Sequence, residues 1–152
     1  MTISKIKVAA ALVALFLPLS GTAQIKTEKA LVSKSPGVPM PKSERIPMAD
    51  FKKLMASGSV VILDVRSNAT YQRGHIPGAL SMPGSTIDAA TADKLSRMGK
   101  VIATYCACPA EHTAAAVAQD LQLLGVPAQA VVGGWNLWVE EKNPIKTGPD
   151  AR

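Results

Sequence analysis

Cys106 closes the apolar run Val101-Ile102-Ala103-Thr104-Tyr105, and an alanine-rich pattern of helical period begins a few residues later, from about Thr113. A thiol at such a junction is placed for nucleophilic chemistry. If the run is a buried strand and the next segment a helix, the connecting residues Ala107, Cys108, Pro109, Ala110, Glu111 and His112, with Thr113 at the helix start, form a loop that curls under the sulfur. Its backbone N–H groups and the helix N-terminus then favour the thiolate, which is the reactive form of cysteine. Cys108 adds a second thiol two positions on. The Cα atoms of such a pair span at most about 7 Å, near the outer limit for a disulfide, so bridging requires the chain to bend. A metal centre is not expected: with only two cysteines and the histidines His75 and His112, a zinc or copper site would need two distant loops to converge.

The elements that must position this thiol follow from periodicity. Phe51, Leu54 and Met55 recur at helical spacing after Pro47, and Gly58 ends that helix. Val60-Val61-Ile62-Leu63, ending in Asp64, is a continuous β-branched and apolar run, as expected of a strand buried on both faces of a parallel sheet. A short helix over 68–73, a turn over Gly74-His75-Ile76-Pro77-Gly78, a short strand over 79–82 and a helical stretch over 86–98 lead to the strand 101–105. Ala114, Val117, Ala118, Leu121 and Leu124 then form one apolar helical stripe capped by Gly125. Ala130-Val131-Val132 is a last strand and 135–141 a last helix. Strands alternating with helices predict an α/β fold, an open parallel sheet flanked by helices on both faces, whose sites form at the carboxyl ends of strands. Cys106 lies at such an end.

The start of the chain predicts export. Lys5 and Lys7 precede the uncharged stretch Val8 to Ser20, and Gly21-Thr22-Ala23 offers small residues where a signal peptidase reads. Residues 1–23 are therefore read as a cleaved signal, with the mature protein periplasmic or secreted; Pro18 and the polar residues after it argue against a membrane anchor. Loss of Lys5 and Lys7 takes the formal charge of +6 to +4, thinly spread, with no basic stripe interleaved with aromatics. Nucleic acid is accordingly not an expected partner. Residues 24–45, rich in Lys, Ser and Pro, read as a flexible linker, 46–147 as a single domain and 148–152 as a tail.

Asp64-Val65-Arg66, Tyr71, Gly74-His75-Ile76-Pro77-Gly78-Ala79, Tyr105-Cys106 and Gly133-Gly134-Trp135 with Trp138 resemble, in content, order and spacing, a single-domain rhodanese. The resemblance spans about Ile46 to Pro144. It implies a sulfurtransferase in which Cys106 carries sulfur as a persulfide, taking it from a small sulfur donor and passing it to a thiol or cyanide, with no external cofactor. One departure lies inside the loop. Family members that use thiosulfate commonly place a glycine and an arginine where this chain has Pro109 and Glu111. Proline supplies no N–H to an anion, and a carboxylate repels one unless it turns away to cap loop or helix amides. Beside an oxidising compartment, Cys108 is open to three readings: an inert loop residue, a thiol that resolves a persulfide or sulfenate on Cys106, or one half of a redox couple. The altered loop also leaves open a non-catalytic module that binds a protein partner or a small molecule.

The other polar residues are read mainly as structural. Asp64 and Arg66 are placed to bond turn backbone, and His75 to tie its turn together. Arg66, His75 and Trp135 are candidates for lining the pocket, whereas Trp138, one helical turn beyond Trp135, is read as core. His112 is near enough in sequence to tune Cys106 or simply to face water.

Overall fold

The computed structural model describes residues 43–149, so the expected signal over 1–23 and all but the last residues of the expected linker lie outside the described residues. Five parallel strands form one sheet: β1 (Arg45–Ile46), β2 (Val60–Asp64), β3 (Ala79–Ser81), β4 (Val101–Tyr105) and β5 (Ala128–Val131), in the order β1-β5-β4-β2-β3. Between them run α1 (Met48–Ala56), α2 (Asn68–Arg73), α3 (Ala89–Ser96) and α4 (His112–Leu123), and α5 (Gly134–Glu140) follows β5. The predicted open α/β sheet is the observed one.

Alternation along β4 divides the core in two. Ile102 and Cys106 pack on one face with Ala92 and Leu95 of α3 and the stripe Ala114, Val117, Ala118 and Leu121 of α4. Ala103 and Tyr105 pack on the other with Phe51 of α1, Tyr71 of α2 and Trp138 of α5. Leu63, Ile102 and Leu121 are fully buried, each stabilising the fold by about 1.5–3 kcal/mol relative to an exposed side chain. Thr104, buried inside β4, is satisfied by donating its hydroxyl to Ala114 O at 2.9 Å, which ties strand to helix.

Local chemistry accounts for the boundaries. The Ser67 side chain accepts the Thr70 N–H at the start of α2, and the Asp88 carboxylate accepts the Thr91 N–H at 2.7 Å at the start of α3. Gly125, with φ +79°, terminates α4 in the left-handed conformation that costs a residue without Cβ little. The chain departs from expectation at two edges. Arg45, read as the end of a linker, instead begins the sheet, paired in register with Ala130 of β5, and Ser43 before it is buried. The last strand starts two residues earlier and ends one earlier than its apolar run suggests, because Ala128 and Ala130 find partners on β4 while Val132 is exposed beyond it.

The strand order places Cys106 at a topological switch. The connection after β2 leads toward β3 and that after β4 toward β5, in opposite directions from neighbouring strands. Such divergence opens a crevice at the carboxyl ends. Arg66 follows one of these strands and Cys106 the other.

Candidate active site

Cys106 and Cys108 are joined as a disulfide, with Cα atoms 5.6 Å apart. The chain makes the bend that the spacing requires. The Cys108 N–H donates to Sγ of Cys106 at 3.4 Å, and the Thr113 N–H, in the first turn of α4, donates to Sγ of Cys108 at 3.4 Å. The bonded pair is one of the arrangements the sequence leaves open for Cys108; the sulfur of Cys106 accepts from one loop amide, and the sulfur of Cys108 accepts from an amide in the first turn of α4. Cys106 is buried and Cys108 half-buried.

Pro109 opens a single 3₁₀ turn, and the two residues after it both take left-handed backbone, Ala110 at φ 52° and Glu111 at φ 53°. For residues with a Cβ this costs roughly 1–2 kcal/mol each and is held only where the surroundings over-determine it. Arg45 supplies much of that hold: one guanidinium nitrogen donates to Ala110 O at 3.3 Å, the other to a Glu111 oxygen at 3.2 Å. The second Glu111 oxygen accepts the Gly133 N–H at 2.8 Å, at the N-cap of α5. Glu111 therefore turns its carboxylate away into a cap, one of the alternatives its sequence position leaves open, and it caps α5 rather than its own helix. Neither Arg45 nor Gly133 is legible as its partner in the sequence, since both are distant from it along the chain and Arg45 falls in the expected linker.

A buried polar network frames the other side of the crevice. Asp64, fully buried, accepts the backbone N–H of Arg66 at 3.0 Å, its guanidinium at 2.9 Å and the Tyr105 hydroxyl at 2.6 Å. Arg66 also donates to Gly74 O at 2.7 Å and lies 4.2 Å over the Trp135 ring. Tyr105 in turn accepts the Ile76 N–H. Burial disfavours the Arg66 charge, but hydrogen bonding and attraction from Asp64 outweigh it and raise its pKa. Burial first, and then the Asp64 charge, push the Tyr105 phenol far above its ordinary value. Asp64 and Arg66 thus hold turn backbone as expected, and the Arg66–Trp135 stack brings both beside Tyr105, the residue before Cys106. The Tyr105 bridge is a link that sequence reasoning misses, although the Tyr105-Cys106 pair carries part of the resemblance.

Trp135 also touches the loop directly, its backbone N–H donating to Cys106 O at 2.9 Å. Gly134 makes that approach possible: its φ is +45°, and a Cβ there would fall within contact distance of Cys106 O. Gly134→Ala is expected to push α5 off the loop, costing about 2–4 kcal/mol from strain and overpacking together, measured as a lowered denaturation midpoint. His75 is buried inside its turn, the ring stacked on Tyr71 with centroids 3.8 Å apart and Nδ1 3.0 Å from Tyr71 O. Its backbone pairs with Lys146. That is the turn-tying role. Trp138 is core, its indole N–H donating to Pro144 O at 2.8 Å, and His112 opens α4 exposed to solvent. Among the described residues no group of three or more His, Cys, Asp or Glu could hold a metal ion.

Comparison with known proteins agrees with this fold. The model of the rhodanese-like domain family matches residues 47–141. The crystal structure of the BH2092 protein from Bacillus halodurans superposes with a TM-score of 0.63 at 33% identity, over 69% of this chain and 77% of that one. Thiosulfate sulfurtransferase from Pseudomonas aeruginosa gives 0.62 at 24% identity, covering 76% of this chain but only 22% of that longer protein. A human single-domain sulfurtransferase gives 0.51 at 22% identity, over 65% of this chain and 97% of the other. The family match and the fold agree, and the chain belongs to the rhodanese-like domain family.

Proposed function

We propose that this protein is an exported sulfurtransferase, periplasmic or secreted, that carries sulfane sulfur as a persulfide on Cys106. The observation that carries the reading is the position of Cys106: a buried cysteine at the carboxyl end of the central strand, heading a loop that closes on the start of α4 in a rhodanese-like fold. The working form is the reduced one. Its Cys106 thiolate attacks the outer sulfur of a donor, the donor's leaving group departs, and a thiol or cyanide then removes that sulfur. Pro109 bears on donor choice. It offers no N–H to an anion, which disfavours a dianion such as thiosulfate relative to a persulfide or a thiosulfonate, by about tenfold or more if one charged hydrogen bond is at stake, whereas the Glu111 carboxylate is engaged by Arg45 and the Gly133 N–H.

The test starts from fully reduced protein. It is offered thiosulfate, glutathione persulfide and a thiosulfonate in separate reactions, and intact mass and thiocyanate formation from cyanide are measured. Thiocyanate formation by the wild type, and a gain of one sulfur atom on Cys106 in the Cys108→Ser variant, which has no neighbouring thiol, are expected, both fastest with the latter donors. If no donor yields either signal, the enzyme reading fails.

The paired cysteines favour a second reading, a thiol/disulfide redox protein. Its reduction potential separates the two: a pair that exchanges rapidly with dithiols yet never accepts sulfur belongs to the redox class.

A further inference from the structure

We propose that Cys108 is a second catalytic thiol, one that converts sulfur loaded on Cys106 into free sulfide. The inference rests on the sulfur-transfer reading above and extends it to the fate of the sulfur when no outside acceptor is present.

The pairing of the two cysteines carries it. Their Cα separation of 5.6 Å falls inside the roughly 4.4–6.8 Å over which two cysteines bridge without backbone movement. The loop therefore holds Sγ of Cys108 within bonding reach of Sγ of Cys106. The Thr113 N–H on Sγ of Cys108 comes from the first turn of the twelve-residue helix α4. That is where a thiolate is favoured by the helix dipole and a free donor. Of the two sulfurs, the helix start thus supports the one that would attack, while the buried Cys106 holds the cargo. Cys108 is also the less buried of the pair, so a reductant from solution meets it first.

The step balances without any other reagent. The Cys108 thiolate attacks the inner sulfur of the Cys106 persulfide and an S–S bond forms between the two cysteines. The bond from Sγ of Cys106 to the outer sulfur breaks, and its electron pair leaves on that outer sulfur as hydrosulfide. The sulfane sulfur is reduced to sulfide, and the two cysteine sulfurs are oxidised to the disulfide seen in the structure. A second turnover requires a thiol reductant, which opens the disulfide and is itself oxidised. In its presence the protein becomes a sulfane-sulfur reductase; in its absence it turns over once.

The experiment uses reduced, desalted protein and an aryl thiosulfonate, whose sulfinate leaving group cannot open a disulfide. Wild type should release about one sulfide per chain and lose the mass of two hydrogens, as expected for intraloop disulfide formation. Cys108→Ala and Cys108→Ser should instead gain the mass of one sulfur on Cys106 and release sulfide at least about tenfold more slowly, since no resolving thiol is in reach. Wild type that keeps the added sulfur and frees no sulfide overturns the role of Cys108 but leaves sulfur transfer standing. That role is equally overturned if both variants release sulfide as fast as wild type. If the variants take up no sulfur at all, the transfer reading falls, and this inference with it.

Discussion

Cys106→Ser is expected to abolish sulfur transfer, lowering the rate by about three orders of magnitude or more. A serine hydroxyl at neutral pH is almost wholly protonated, and among the described residues no histidine is placed to activate it: His75 is engaged in its own turn and His112 faces solvent. Oxygen would also form no counterpart of a persulfide. The fold should survive, because the substitution is nearly isosteric and the main-chain bond from Trp135 to Cys106 O needs no sulfur. Thiocyanate production with cyanide as acceptor, followed beside the denaturation midpoint, separates loss of chemistry from loss of structure. A variant retaining activity within about tenfold of wild type would remove Cys106 from the mechanism. A variant that loses transfer yet still binds a protein partner would reveal a separate recognition role for the loop.

Asp64→Ala is expected to have the largest effect on stability. It leaves the Arg66 guanidinium, whose side chain is only 7% exposed, without its buried counter-charge, and it leaves the Tyr105 hydroxyl without its acceptor. Breaking such a pair from one side costs about 3–5 kcal/mol. Set against the 5–15 kcal/mol typical of a whole domain, that is enough to shift the thermal midpoint by roughly 10–25 °C. Asp64→Ala combined with Arg66→Ala should be less destabilised than the sum of the single variants, because the second change removes the orphaned charge. A single variant within about 1 kcal/mol of wild type would show the network to be dispensable. The same site predicts an alkaline limit. Tyr105 keeps its proton in the fold well above the ordinary tyrosine value of 10.0, so the stability this contributes is complete below pH 10 and falls as pH rises beyond it. Tyr105→Phe should flatten that fall.

The central architecture is legible because its signals are local. Val60–Asp64 and Val101–Tyr105 are unbroken apolar runs of strand length, and the Ala114-to-Leu121 stripe has one unambiguous period, so element type and the place of Cys106 follow directly. Three features of the site resist. A two-residue strand such as Arg45–Ile46 carries no periodicity, and only its pairing with β5 defines it. The left-handed backbone at Ala110 and Glu111 is imposed by tertiary contacts on residues with no preference for it. The cysteine pairing depends on the path of the intervening chain, which spacing alone leaves free between an open and a closed loop.

The Arg45 side chain reaches from the edge strand to both Ala110 and Glu111, although the family match begins only at Pro47. A recombinant fragment trimmed to that match would lack the edge strand and the cation that steadies the dithiol turn. Any sulfur chemistry would then be read from a loosened loop, and any weakness would describe the cut and not the intact protein. Expression boundaries for this chain should therefore begin upstream of Ser43.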